Sequence, residues 1–320
     1  MEAAAEPALS SWIPAMIRKR GGQALVEWLF TGQEAYSEPF FDETIAHCRK
    51  HERNNRIRIP SSTLDFISSA AESTDGISPS AFIFHVSRCG STMLTQLLAQ
   101  SERHIVLSEV PFFEQILREP GLNETQRAQL LRSAIALYGQ RRSGKEERLF
   151  IKLDAWHVYE AELFRKLFPR TPFIFLYREP AAVIRSHGRQ RGMHMIPGLV
   201  QHPLPEETLS ATDLDAYAAQ VLRCYYEAGL SLCNAGAHAV NYSEGLMEGL
   251  LRVCARIGIR FDEKLLQRMQ ERGRSHSKHP GQVFSEAPVE MLPQNEFFPA
   301  AQNACAQLEA LRNRQIAVPA

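Results

Sequence analysis

The sequence predicts an α/β fold built on a parallel sheet, and three observations carry that expectation. From Ala81 onward, short apolar runs of strand length alternate with longer segments of helical spacing. Two of the runs, residues 81–86 and 173–177, are mostly or wholly apolar and aromatic, as strands buried on both faces of a sheet are. Between the first run and its helix, residues 93–100, lies only a tight polar loop, Ser87-Arg88-Cys89-Gly90-Ser91-Thr92.

Taken in order, residues 1–78 read as a helical N-terminal extension and linker, and 79–320 as the α/β domain. Residues 12–30 place Ile13, Ile17, Leu25 and Leu29 at helical spacing around an interruption at Gly21-Gly22, and 40–51 suits a second short helix. Residues 54–80 are polar and turn-rich, with Pro60, Asp75-Gly76 and Pro79. Beyond the opening strand–loop–helix unit, 105–107 is a short strand ending at Ser108-Glu109-Val110, and 112–118 begins a helix. Asn123 with Gln126 makes a capping box for a helix reaching about residue 141. Residues 148–153 form a strand that delivers Lys152 and then Asp154, and 156–168 a helix. Strand 173–177 delivers Arg178, and Pro180 falls where a first helical turn tolerates proline. Residues 193–212, rich in Pro, Gly and His, form a long loop of the kind that is functional or mobile. A helix at 213–234, a strand at 239–242, helices at 244–257 and 263–272, an irregular stretch at 275–293 and a helix at 300–314 complete the chain.

Composition narrows the function. A chain of 320 residues buries a substantial core. Its 36 basic residues balance 36 acidic ones, which argues against a nucleic-acid or membrane partner held by a global field. No apolar run approaches the roughly 18 residues that span a bilayer. The first residues carry acids where a secretory signal carries bases, so the expectation is a soluble, cytoplasmic protein. Six cysteines without a C-x-x-C pair suit a reducing compartment and give no zinc site. Cys89, inside the polar loop, is the one whose reactivity matters; Cys224 and Cys233 read as core.

The loop is an anion site by construction. It aims backbone N–H groups and the positive end of a helix dipole at its occupant, and Arg88, Ser91 and Thr92 add charge and donors. Phosphate or sulfate fits, but the G-x-x-x-x-G-K-[ST] spacing and its lysine are missing, so a magnesium-nucleotide loop fits poorly. Ligands of open parallel sheets bind beyond the carboxyl ends of strands. Four strands here end in the Arg88 loop, Glu109, Lys152 and Arg178, three cations and one carboxylate. Asp154 and His157 are second-choice bases, and His85 reads as a core histidine. Arg185, Arg189 and Arg191, with His187 and His194, form either a draw for an anionic acceptor or a solvated face.

At these residues the chain resembles the sulfotransferases that use 3′-phosphoadenosine 5′-phosphosulfate (PAPS). Residues 86–92 resemble that family's 5′-phosphosulfate loop. Tyr177-Arg178-Glu179-Pro180 with Ser186, eight positions after Arg178, is similar to its 3′-phosphate motif. Val240-Asn241-Tyr242-Ser243-Glu244-Gly245-Leu246 is similar to its third block, in which a tyrosine flanks the adenine. The resemblance spans residues 81 to about 258 and lies nearest the tyrosylprotein and bacterial branch, with Arg88 where cytosolic members carry lysine and Cys89 where serine is usual. It implies a three-layer sheet of P-loop nucleoside triphosphate hydrolase type. It also implies a PAPS cofactor without a metal, and a small-molecule, sugar or peptide acceptor. The nucleotide would meet Arg88, Cys89, Gly90, Ser91, Thr92, Arg178, Ser186, Tyr242 and Lys278. Glu109 would be the catalytic base, and Lys152 and Arg88 would stabilise the transferred charge. Competing readings are a nucleotide-dependent P-loop kinase and a protein that holds a nucleotide or anion without turnover.

Overall fold

The structure, a computed structural model, describes residues 9, 11–55, 57–205, 208, 213–274 and 295–317. In chain order it contains β1 (Trp12–Arg20), β2 (Gln23–Phe30), α1 (Phe41–Cys48), β3 (Ser61–Thr63), α2 (Phe66–Glu72), β4 (Pro79–His85), α3 (Ser91–Leu98), β5 (His104–Ser108), α4 (Pro111–Arg118) and α5 (Glu124–Tyr138). There follow β6 (Arg148–Lys152), α6 (Ala161–Leu167), β7 (Phe173–Tyr177), α7 (Pro180–Arg189), α8 (Leu214–Asn234), β8 (His238–Asn241), α9 (Leu246–Arg256), α10 (Glu263–Gly273) and α11 (Phe298–Ala317). Short 3-10 turns occupy Ala155–Glu160, Met193–Met195 and Tyr242–Glu244.

Five strands form the parallel α/β sheet that the alternation predicts, in the order β5-β6-β4-β7-β8. Phe82 pairs with Phe173 and His85 with Leu176 between β4 and β7, and Tyr177 pairs with Asn241 between β7 and β8. No helix among the described residues is long and apolar enough to cross a membrane. By internal contacts the chain forms two compact units, Met1–Ser80 with Leu98–Ile151 and Lys166–Pro169, and Ala81–Leu97 with Lys152–Arg165 and Arg170–Ala320.

In the first unit, residues 12–30 are not the helix expected but an antiparallel β-hairpin, paired from Trp12 opposite Phe30 to Arg20 opposite Gln23. Gly21 and Gly22 both take positive φ, 56° and 81°, which a two-residue hairpin turn requires and which only glycine adopts without strain. The apparent helical spacing came from counting residues of two different strands as one face. β3 extends this hairpin into a three-stranded sheet, and α4 and α5 pack on β1. Tyr138 ties the layers, its ring 5.2 Å from those of Phe41 and Phe113 and its hydroxyl donating to the Pro14 carbonyl at 2.6 Å. The Asn123–Gln126 capping box opens α5 as expected, and α1 matches the short helix read at 40–51.

In the second unit, Phe82 and Phe84 of β4, both fully buried, meet Phe164 of α6 and Phe173 of β7 at ring distances of 5.1–6.2 Å. Burying each such ring stabilises the fold by roughly 1.5–3 kcal/mol. β8 is one of the sheet's two edge strands, and α11 packs against it. The Gln315 amide accepts from Ala239 N at 2.9 Å and donates to the Ala237 carbonyl at 2.7 Å, satisfying edge groups that would otherwise recruit another strand. Farther along α11, Glu309 accepts from the Tyr177 hydroxyl, from Asn241 Nδ2 at 2.8 Å and from Arg312. Arg312 and Arg252 both bridge to Glu244 at 2.9 Å. The ends of β7 and β8 are thereby fixed where their next residues, Arg178 and Tyr242, leave the sheet.

Candidate active site

The site of the second unit starts where β4 runs out. Ser87, Arg88 and Gly90 all take positive φ, at 70°, 48° and 85°. Left-handed backbone costs a non-glycine residue roughly 1–2 kcal/mol, and such strain gathers at functional sites. Gly90 has no alternative: a Cβ there would stand 2.7 Å from Leu246 Cδ1 and 2.9 Å from Tyr242 Cδ2. Buried His85 supports the turn by accepting from Ser87 N at 3.0 Å. Leu94 N donates to the Gly90 carbonyl at 3.1 Å, so α3 begins directly from the loop, with Ser91 and Thr92 buried in its first turn.

Cys89 faces inward. It is fully buried, and its thiol donates to the Leu176 carbonyl at 3.4 Å. Burial pushes its pKa up to about 11, so the thiol is a protonated packing group. Lys152 and Arg178 nevertheless both act electrostatically on it, which puts two cations beside the loop. Lys152 ends β6 with no exposed surface. Arg178 follows β7; its guanidinium carbon lies 4.2 Å from the centroid of the Tyr242 ring, and its carbonyl accepts from the Tyr226 hydroxyl at 2.6 Å. Burial lowers the Arg178 pKa, while Tyr242 opposes that shift. Tyr242 in turn packs on Gly90 and, with Leu246, Met93 and Leu97, lines a cleft of about 580 Å³ that Gln270 and Arg274 complete. Strand order accounts for the convergence, since β6 and β7 flank β4 and β8 lies beside β7.

The remaining residues fall differently. Ser186 is half-buried on α7, whose first N–H groups, Ala181 and Ala182, are already capped by Glu179 at 2.9 Å. Arg88 reaches away from its own loop and donates to the carbonyl of Gln190. Arg185 acts on Arg178 as a like charge. Asp154 and His157 form a local pair, Nδ1 to Oδ2 at 3.7 Å, in the turn after Lys152, with His157 buried. The basic run divides: Arg189 is exposed to solvent, whereas His187 and His194 are buried with rings 5.3 Å apart and Arg191 bonds to Asp215 at 2.6 Å. Glu109 belongs to the first unit. There it takes a left-handed φ of 56°, and its charge, after burial, raises the pKa of Asp42. Lys278 lies outside the described residues. Among the described residues no group of three or more His, Cys, Asp or Glu side chains is placed to hold a metal ion.

Sequence reading missed Gln190, Tyr226 and Glu309. The first two act through a carbonyl and a distant hydroxyl, and neither leaves a local signal. The Asn241/Glu244 box and the i,i+3 pair of Glu309 and Arg312 are visible in sequence, but nothing there says that they meet.

Fold and site together give an α/β protein with Lys152 and Arg178 beside the loop that follows β4, and a cleft walled by Tyr242 and Leu246 next to that loop. No protein-family model matches the chain, and no curated protein does. Among the solved structures it resembles are sulfotransferases. The sulfotransferase domain of the Synechococcus PCC 7002 olefin synthase is 17% identical with a TM-score of 0.42, the match covering 78% of this chain and 98% of that one. The sulfotransferase domain of the curacin biosynthetic pathway is 16% identical with a TM-score of 0.45, covering 73% and 99%. A sulfotransferase from Mycobacterium avium is 13% identical with a TM-score of 0.45, covering 79% and 80%. Likeness at this level transfers no residue roles.

Proposed function

We propose that this chain is a sulfotransferase that moves a sulfuryl group from PAPS to the hydroxyl or amine of an acceptor. One observation carries the reading. The loop at 87–92, Lys152, Arg178 and Tyr242 meet around Gly90, giving one anion cradle at the loop and a second cation one ring away. Two anionic groups joined by a nucleoside would suit these two cationic positions, with the Tyr242–Leu246 cleft beside them to take a flat base. Arg178 suits the 3′-phosphate as a bidentate donor, with Ser186 contributing a hydroxyl. Arg88, Gly90, Ser91 and Thr92 suit the 5′-phosphosulfate through their backbone N–H groups and hydroxyls.

PAPS supplies an activated sulfur–oxygen bond. The acceptor oxygen or nitrogen forms a bond to that sulfur, the bond from sulfur to the bridging 5′-phosphate oxygen breaks, and 3′-phosphoadenosine 5′-phosphate leaves. Lys152, held in a dry setting, would neutralise charge growing on the bridging oxygen, where a fixed cation is worth far more than in water. Glu109 is proposed as the carboxylate that receives the acceptor proton, with Asp154 second. The test is transfer of labelled sulfate from PAPS to an acceptor library. Labelled product in the wild type and none from Lys152→Met supports the reading. A requirement for ATP and magnesium instead would replace it with the kinase alternative.

A further inference from the structure

We infer that the first unit carries a docking surface for an anionic lipid bilayer, made by Ile57 and Ile59 on a projecting arch with Arg49, Lys50, Arg53 and Arg58. It is independent of the chemistry assigned to the second unit. From residue 48 to residue 64 the chain holds five arginines and lysines against one acid, Glu52, although the whole chain carries 36 of each sign. One sign of charge gathered in a single segment gives a local field that the balanced total hides. Hydrogen bonds set the shape of the segment. The Asn54 side chain accepts from Phe30 N at 2.8 Å and donates to the carbonyls of Phe30 and Cys48, both at 2.7 Å. The end of α1 and the first foot of the arch are thereby tied to the end of β2. The second foot is Pro60, whose carbonyl accepts from Trp28 N at 2.9 Å. From Phe30 back to Trp28 the strand advances roughly 7 Å, whereas the chain from Asn54 to Pro60 reaches roughly 20 Å when extended. The surplus loops out from β2, and Asn55, Ile57, Arg58 and Ile59 are all exposed, Ile57 completely and Ile59 at 49%.

Cations flank the isoleucines. Arg53 stands at the first foot, its guanidinium carbon 4.5 Å from the centroid of the Phe30 ring. Arg49 and Lys50 follow Cys48 into the same foot, and Arg58 lies between the two isoleucines. All four are exposed, and none of them forms an ion pair among the described residues. By contrast, Arg18 in this unit pairs with Glu27, Lys19 with Glu119 and Lys145 with Glu102. A single exposed isoleucine is ordinary on a protein surface. Two of them on a projecting arch among unpaired cations suit the face of an anionic bilayer, where apolar tips enter the acyl boundary and Lys and Arg heads meet lipid phosphates. A nucleic acid would engage the cations and gain nothing from the isoleucines. A two-fold contact with a second copy would set the cations against one another.

The experiment is co-sedimentation of the full chain with vesicles of phosphatidylcholine alone, or of equal parts phosphatidylcholine and phosphatidylglycerol, at low and high salt. The mixed vesicles should bind at least about tenfold more tightly than the neutral ones, and salt should weaken that binding. Lys50→Glu/Arg58→Glu should lose at least about tenfold on mixed vesicles, since each cation at an anionic surface is worth about fivefold. Ile57→Ser/Ile59→Ser, which leaves the charge unchanged, should lose about tenfold on the same vesicles. All four side chains are exposed, so both variants should melt as the wild type does. No sedimentation with mixed vesicles, equal sedimentation with neutral ones, or indifference to the isoleucine substitutions would overturn the inference. Duplex DNA bound as tightly as mixed vesicles, and equally by the isoleucine variant, would overturn it in favour of a nucleic-acid surface.

Discussion

The guanidinium of Arg178 faces the ring of Tyr242 at 4.2 Å, and the same ring forms the wall that excludes a side chain from position 90. One tyrosine therefore orients the proposed 3′-phosphate ligand and fixes the depth of the anion loop. Tyr242→Ala should weaken 3′-phosphoadenosine 5′-phosphate about fivefold, the worth of one partly exposed cation–π contact of about 1 kcal/mol. Tyr242→Phe should bind as the wild type does, because the ring and not the hydroxyl is used. Calorimetry on both variants separates the two.

Gly90→Ala tests the loop itself. The new methyl meets Leu246 and Tyr242 inside 3.0 Å on a backbone of φ 85°, so the loop must shift. Strain and overpacking together should lower stability by about 2–4 kcal/mol and remove measurable nucleotide binding. Thermal melts read the first effect and titration the second. Gly188→Ala, on α7 with open space around its added methyl, is the control that should leave nucleotide binding unchanged and raise stability slightly, as alanine does for glycine in a helix.

Binding and chemistry should separate at Lys152 and Glu109. Lys152→Met and Glu109→Gln should each cut transfer from PAPS by about a hundredfold or more while leaving nucleotide affinity within a few-fold. Single-turnover rates beside titrations check this. Full transfer by Glu109→Gln together with loss in Asp154→Asn would move the base to Asp154.

The latch on α11 has a pH signature. Burial works to raise the Glu309 pKa, but hydrogen bonds from Arg312, Tyr177 and Asn241 hold it down to about 2 against an ordinary 4.5. A depressed carboxylate stabilises the fold above its unfolded pKa, and that contribution is lost as pH falls toward the folded value. Glu309→Gln should therefore melt lower at pH 7, by about 1–2 kcal/mol, and the gap to the wild type should close between about pH 4.5 and pH 2. Melts across that range measure it.

Much of the second unit was legible because its cues are local. A wholly apolar run such as Phe173–Tyr177 has no stable place except between two layers, and the loop from Ser87 to Thr92 leaves no room for anything but a turn into a helix. The cations at 152 and 178 could be ranked together because strand ends of a parallel sheet share one edge. The hairpin at 12–30 was misread because its two strands offer apolar residues at intervals that imitate a helix, although Gly21-Gly22 carried the turn signal. Gln190, Tyr226 and Glu309 were not legible at all, because each matters through a partner from 48 to 132 residues away. Cys89 shows the converse: its place in the loop was clear, but only packing reveals that its thiol points into the core.

The central claim is tested most directly by titrating the full chain with 3′-phosphoadenosine 5′-phosphate, without magnesium, beside Arg178→Ala. A charge-assisted bidentate contact is worth roughly 1.5–3 kcal/mol, so the account expects saturable binding by the wild type that the substitution weakens about ten- to a hundredfold. No binding by the wild type, or equal binding by Arg178→Ala, would contradict it.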